Sequence, residues 1–260
     1  MVPGTRTRPA QGNPLMEWHD EALVLSVRPH GETAALVEIF TRVNGRYLGL
    51  VHGGRSRKLR PVLQTGNHVD AIWRARLPDQ LGTLSVELRR GYAAEAFESA
   101  AALNALASLA TLLRLLPERD PHPSLFETTM FVLGFLDDPS VWPALVVRWE
   151  LALLAELGLG LDLSQCAVTG TTDDLTHVSP KSGRAVSGAA AEPYRDRLLP
   201  LPPFLRPGRS GAIGRDDIAA GFALTGHFLE ARVYSPHGER LPEPRQRLAA
   251  WARRTDLQVV

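Results

Sequence analysis

Apolar and polar positions change their rhythm near residue 94. Before that point, short apolar runs alternate with turn residues: Glu21–Arg28, Thr33–Phe40, Arg46–His52, Gly66–Arg76 and Gly82–Arg90. Pro29-His30-Gly31-Glu32 separates the first two. Asn44-Gly45 follows the second, and Asn-Gly is a strong hairpin signal because a type I′ turn needs positive φ at both central residues. No helix-length periodic segment interrupts the five runs. Antiparallel strands with hairpin-length connections remove their exposed edges by closing, so the pattern predicts a small closed or half-closed barrel over residues 16–95.

After Ala94 the spacing becomes helical. Phe97 to Leu116 is rich in Ala and Leu, with Leu103, Leu106, Leu109 and Leu113 on one face and Pro117 as a stop. Ser124 is positioned to cap a second helix through Leu136, broken by Asp138-Pro139. Ser140 heads a third, with Trp142, Leu145, Val146, Trp149, Leu153 and Leu157 inward and Gly158 at its end. Asp216–Val233 is amphipathic, and Pro244–Arg254 sets Leu248 and Trp251 opposite a basic face. These segments predict a helical bundle over residues 96–260. A polar insert from Leu161 to about Arg197 interrupts it without clear periodicity, and such a stretch needs a staple of its own. Pro200-Leu201-Pro202-Pro203 leads back as a stiff connector. The expected class is α+β and multi-domain, with an irregular insert.

Composition narrows the class further. Hydrophobic residues make up 44% and charged residues 22% of the chain, values of a water-soluble globular protein. No uninterrupted apolar run reaches the ~18 residues of a membrane-spanning helix. The first fifteen residues hold two Arg, three Pro and no acid, and lack the apolar core of a secretory signal. They read as a disordered leader over residues 1–15, with Met16 an alternative initiator. One cysteine, Cys166, excludes an internal disulfide and fits a reducing cytoplasm.

Charge then singles out one segment. Residues 16–95 carry a net +2 and residues 96–260 a net −3, a mild asymmetry. Within it, Gly53-Gly54-Arg55-Ser56-Arg57-Lys58-Leu59-Arg60-Pro61 packs four cations into six residues. The paired glycines and the proline disfavour regular structure, so the cations belong on an exposed loop between strands. Four like charges suggest an anionic partner, and a phosphate backbone is the commonest multivalent one. The plainer alternative is a solvated basic loop or a processing tag. Arg42 and Arg46 lie nearby in sequence, and Tyr47 beside Arg46 is the best placed of the barrel aromatics (Phe40, Tyr47, Trp73, Tyr92) to stack on a base. A barrel aromatic is more often a core residue than a platform.

Other chemistries find little support. A structural zinc site wants four ligands, and Cys166-x-x-Thr169 with His177 offers too few. Ser, His and Asp occur without a nucleophile elbow, and there is no phosphate-cradling Gly-rich loop with its lysine. Asp173-Asp174 and Asp216-Asp217 are adjacent pairs that point apart, and the second sits where a helix N-terminus favours acid. No catalytic residue, metal or cofactor is expected.

At this point the chain resembles the recombination mediator RecO family, from Met16 onward. The resemblance rests on Trp18-x-Asp20-Glu21-Ala22-Leu23-Val24-Leu25, on Gly45-Arg46-Tyr47 and Gly49-Leu50-Val51 before the basic loop, and on Leu63-Gln64-x-Gly66. It continues through Arg148-x-Glu150-Leu151-x-Leu153-Leu154-x-x-Leu157-Gly158, Leu161-Asp162-Leu163-x-x-Cys166 and Val178-Ser179-Pro180-Lys181-x-Gly183-Arg184. It implies an N-terminal OB-fold, a helical domain and, in some members, a four-cysteine zinc motif. Here Thr169, Ser179, Ser182 and Ser187 stand where further cysteines would be, so metal binding is not carried over. The resemblance implies binding of single- and double-stranded DNA, strand annealing, and action with RecR to load RecA onto strands coated by single-strand binding protein (SSB), in a cytoplasmic, nucleoid-associated setting. The expected DNA contacts are Arg42, Arg46, Tyr47, Arg55, Arg57, Lys58 and Arg60. Arg148, Arg253 and Arg254 are expected to border a groove for the acidic, apolar-ended SSB tail. An OB-fold RNA-binding or translation-associated module, or a non-catalytic protein adaptor, is the alternative.

Overall fold

The computed structural model describes residues 16–77, 80–206, 208 and 211–254. The expectation for residues 1–15 lies outside them. The first five strands are β1 (Met16–His30), β2 (Ala34–Thr41), β3 (Gly45–Val51), β4 (His68–Ala75) and β5 (Thr83–Arg90). They form a closed barrel in the order β1-β2-β3-β5-β4. All pairs are antiparallel except β3–β5, which close in parallel through Leu50 and Thr83. The N-terminal half is thus the OB-like five-stranded barrel, and the chain as a whole is α+β. β1 begins five residues earlier than its apolar run, because Met16–Asp20 extend along β4 beyond the end of β2.

Alternation along these strands divides their side chains between two cores. Val24, Val37, Ile39, Val51, Trp73 and Leu84 fill the barrel. Leu23, Leu25 and Phe40 face outward and join the helical core, where Phe40 meets Phe126 with ring centroids 5.7 Å apart. A bulge between Val24 and Ser26 lets Leu25 make that turn and sets the Ser26 hydroxyl 3.0 Å from Glu38 Oε2.

The helical part contains α1 (Tyr92–Glu95), α2 (Ala100–Leu113), α3 (Pro123–Leu133) and α4 (Trp142–Glu156). After the insert, which contains the short α5 (Gly188–Ala191), come α6 (Arg215–Leu229) and α7 (Glu243–Arg254). Two expected caps differ. His122, not Ser124, precedes α3, with Pro123 in its first turn, where a missing N–H costs nothing. Ser140 bonds Asp138 Oδ1 through both its N–H (2.9 Å) and its hydroxyl (2.6 Å), so it closes the Asp138-Pro139 turn and α4 starts at Trp142. Beyond Leu229 the chain continues as a π-helical turn over Glu230–Tyr234. α4, α6 and α7 are tied by a fully buried ion pair. Arg245 meets both carboxylate oxygens of Glu150, and the Thr225 hydroxyl donates to the same carboxylate.

Most of residues 161–174 is irregular, as expected, and the segment after it carries short strands that left no signal in the sequence. β6 (Leu175–Val178) pairs with β7 (Ala185–Ser187) on one side and β8 (Leu199–Pro200) on the other. These strands are too short to leave a periodic signal, and Leu175, Val178, Ala185 and Val186 enter the helical core. Among the described residues no helix is long and apolar enough to cross a membrane.

Candidate nucleic-acid interface

The segment from His52 to Asn67 leaves β3 and returns to β4 as a chain of turns. Gly54 N–H donates to Val51 O, Ser56 to Gly53, Arg60 to Ser56 and Leu63 to Leu59, over 2.9–3.2 Å. Gly53 has φ +66°, and a Cβ on Gly54 would fall 2.7 Å from that of Ala35, so each glycine of the pair is required for its own reason. Leu59 and Val62 are half-buried and Leu63 is buried against the barrel core. Asn67 fixes the return by donating to Pro61 O (2.8 Å) and Val62 O (3.1 Å). With the leucines turned inward, Arg57, Lys58 and Arg60 are left outward and exposed.

Arg55 has a different role. Its Nη1 donates to Gly31 O (3.1 Å) and Glu32 O (2.9 Å), clamping the loop to the β1–β2 turn. Between loop and turn lies a cleft of about 840 Å³. Its walls carry Arg55, Arg57 and Arg60, and its floor is Val27, Pro29, Ala35 and Leu63. Among the described residues no carboxylate forms an ion pair with Arg55, Arg57, Lys58 or Arg60. Among the described residues no aromatic ring lines the cleft. A surface of exposed cations suits phosphate groups. Val27, Pro29 and Ala35 had no signal in the sequence, because which strand face meets the loop depends on register.

Three other expected contacts are engaged elsewhere. The Arg46 guanidinium pairs with Glu38, which is 3% exposed, and its Nε donates to Leu116 O at 3.0 Å. Glu38 also accepts from Arg114 Nε at 2.8 Å, so Arg46 locks the barrel to the end of α2. Arg42 pairs with Glu127 of α3 at 2.7 Å and remains half exposed. Tyr47 is wedged edge-on between Trp18 (4.9 Å) and Trp73 (5.2 Å), with Arg119 over its ring at 5.4 Å. Phe40, Trp73 and Tyr92 are buried. All four are packing residues: Trp73 and Tyr47 pack into the barrel core, while Phe40 and Tyr92 belong to the helical core.

The helical arginines separate into two places. Arg253 and Arg254 border a groove of about 730 Å³ between α6 and α7, with Arg247 on its rim and Phe222, Ala223, Leu241 and Ala249 among its apolar lining. Arg148 lies outside that groove: its Nη2 donates to Phe204 O at 2.8 Å beside a smaller cleft.

The insert's cysteine is a hydrogen-bond hub. Cys166 Sγ, 1% exposed, accepts from the Ser187 N–H (3.3 Å) and hydroxyl (3.4 Å). Burial pushes the thiol pKa up, but hydrogen bonds from Ser187 and Thr169 outweigh it and lower the pKa to about 6. Ser179 and Ser182 form the β6–β7 turn, where Ser182 N–H donates to Ser179 Oγ at 3.3 Å. A single sulfur that accepts from the Ser187 hydroxyl and amide does not fit the four-cysteine zinc motif that the resemblance implies for some members.

Comparison with known proteins bears on this arrangement. Residues 16–92 match the family model for Recombination protein O N terminal, and residues 95–241 that for Recombination protein O C terminal. The chain is 55% identical over 241 residues to a DNA repair protein RecO of Methylorubrum extorquens, covering 90% of this chain and 98% of that one. It is 54% identical over 239 residues to that of Methylobacterium nodulans (90% and 97% covered) and 53% over 235 residues to that of Rhodospirillum centenum (89% and 93%). The chain belongs to the RecO family.

Proposed function

We propose that this RecO-family chain is a non-catalytic mediator of DNA repair and homologous recombination. In this reading it binds single- and double-stranded DNA, anneals complementary strands and, with RecR, helps load RecA onto SSB-coated DNA at the nucleoid. The observation that carries the proposal is the arginine-walled cleft of the basic loop, whose cations have no acidic partner among the described residues. Annealing requires phosphate repulsion between two strands to be screened while base edges stay free to pair. A cleft that offers guanidinium groups and, among the described residues, no aromatic ring suits that role, and would accept single strands and duplexes alike because both present phosphates. The names of the curated relatives support the repair role.

Residues 16–95 would carry DNA through Arg55, Arg57, Lys58 and Arg60, with Arg42 at the margin; Arg46 and Tyr47 are left out because the fold uses them. Residues 96–260 would carry SSB recognition in the α6–α7 groove. An acidic tail with an apolar end suits its apolar lining and the Arg253 and Arg254 rim. The test is annealing of labelled complementary strands, bare and SSB-coated, alongside RNA of the same sequence. Faster annealing on both DNA substrates is expected. A preference for RNA with no response to SSB would refute the proposal in favour of an RNA-binding module, and absence of salt-dependent binding in favour of a protein adaptor.

A further inference from the structure

β3 and β5 pair at a single position, and this leaves most of β5 with a free edge. They meet through Leu50 and Thr83, where Leu50 N–H donates to Gly82 O at 3.0 Å. Backbone groups of alternate residues point to the same side of a strand, so Val86 and Leu88, like Gly82 before them, turn theirs away from β4. Beyond Thr83 β5 has β4 on one side and, among the described residues, no strand on the other. Unpaired amides and carbonyls along an edge are a template for another strand. Leu88, on this edge, is 41% exposed.

The charges along β5 say what fits there. Glu87 stands directly across from Asp70 in the β4–β5 ladder, and like charges so placed are unfavourable. Arg89 serves Asp70 (2.8 Å) and Glu21 (3.0 Å), and among the described residues no cation pairs with Glu87. A second β5 laid antiparallel about a two-fold axis at Leu88 sets leucine against leucine. The same register puts Glu87 of each copy opposite Arg89 of the other, twice over, as an isologous contact requires. The β4–β5 ladder skips Arg89 as a bulge, so the regular edge is short and the pairing is weak.

We infer that the outer edge of β5 is a contact between two copies of this chain, paired antiparallel through Leu88. Its use rests on the annealing function proposed above. One basic cleft screens one backbone, and a two-fold pair of chains brings a second cleft for the second strand.

Sedimentation of the full chain from about 1 to about 100 μM tests the contact, and a concentration-dependent dimer is expected. Glu87→Arg is expected to weaken the dimer about tenfold, because it faces Arg89 of the second copy. Within its own copy the same change relieves Asp70, so thermal unfolding of the dilute chain is expected to hold or rise, which separates lost association from lost folding. Leu88→Lys, at an exposed position, is expected to leave a folded monomer that anneals strands more slowly but binds one strand as before. A monomer over the whole range would assign the edge to some other protein and overturn the inference, as would a dimer indifferent to both substitutions. A Leu88→Lys monomer that anneals at the wild-type rate would overturn the use of the second cleft. A dimer that responds to both substitutions but binds no DNA would bear out the contact and overturn the functional reading.

Discussion

Replacing Arg57, Lys58 and Arg60 together by Ala isolates the electrostatic role of the loop. Arg55 is kept because its guanidinium holds the β1–β2 turn through two carbonyls. The three replaced side chains are exposed, so stability is expected to change little. If each of the four cations neutralises one phosphate, log K for single strands falls with log salt at a slope of about −2.8. A fourfold rise in salt then weakens wild-type binding by about 50-fold, but the variant, left with a slope of about −0.7, by only about threefold. Anisotropy titrations of labelled single strands of two unrelated sequences, from 50 to 200 mM salt, measure this directly. The loss is expected to be the same for both sequences, and the charge-preserving swap of Arg for Lys and Lys for Arg is expected to restore the slope. An unchanged slope in the Ala variant would show that the loop is merely solvated.

Other consequences follow from the packing. Glu150→Ala strands the buried Arg245 charge and is expected to cost about 3–5 kcal/mol in urea denaturation, and a cost under about 1 kcal/mol would mean water reaches the site. Cys166 has a folded pKa of about 6, below its unfolded value, so its thiolate contributes stability that is full above the unfolded pKa and is lost as pH falls through about 6. The stability gap between wild type and Cys166→Ser is therefore expected to widen from pH 6 toward pH 9, and a flat gap would mean that the thiol stays protonated. Elemental analysis of the full chain is expected to find no stoichiometric zinc, since the donors around Cys166 are hydroxyl and amide groups. Residues 16–95 expressed alone are expected to lack a cooperative thermal transition, because Leu23, Leu25 and Phe40 lose their cover and Glu38 loses Arg114. A sharp transition would show that the barrel is self-sufficient.

The period-2 runs before residue 91 and the 3.6-residue spacing after it determined a barrel followed by helices, because burial of one face imprints directly on local sequence. The Gly-Gly, cation and proline pattern likewise located the exposed loop. The insert's sheet was hidden, since strands of two to four residues are too short for a period. The role of each charge was hidden for a different reason. Arg46 and Arg57 look alike in sequence, yet one is consumed by Glu38 and Leu116 and the other has no acidic partner among the described residues. Arg114 meets Glu38 across 76 residues of chain, and Arg245 meets Glu150 across 95. Tyr47 reads as a stacking platform until Trp18 and Trp73 close on it. Side-chain periodicity is a property of neighbours along the chain, whereas the neutralisation of a charge or the covering of a ring depends on groups that only folding brings within a few ångströms, and this decided which cations remain for a ligand.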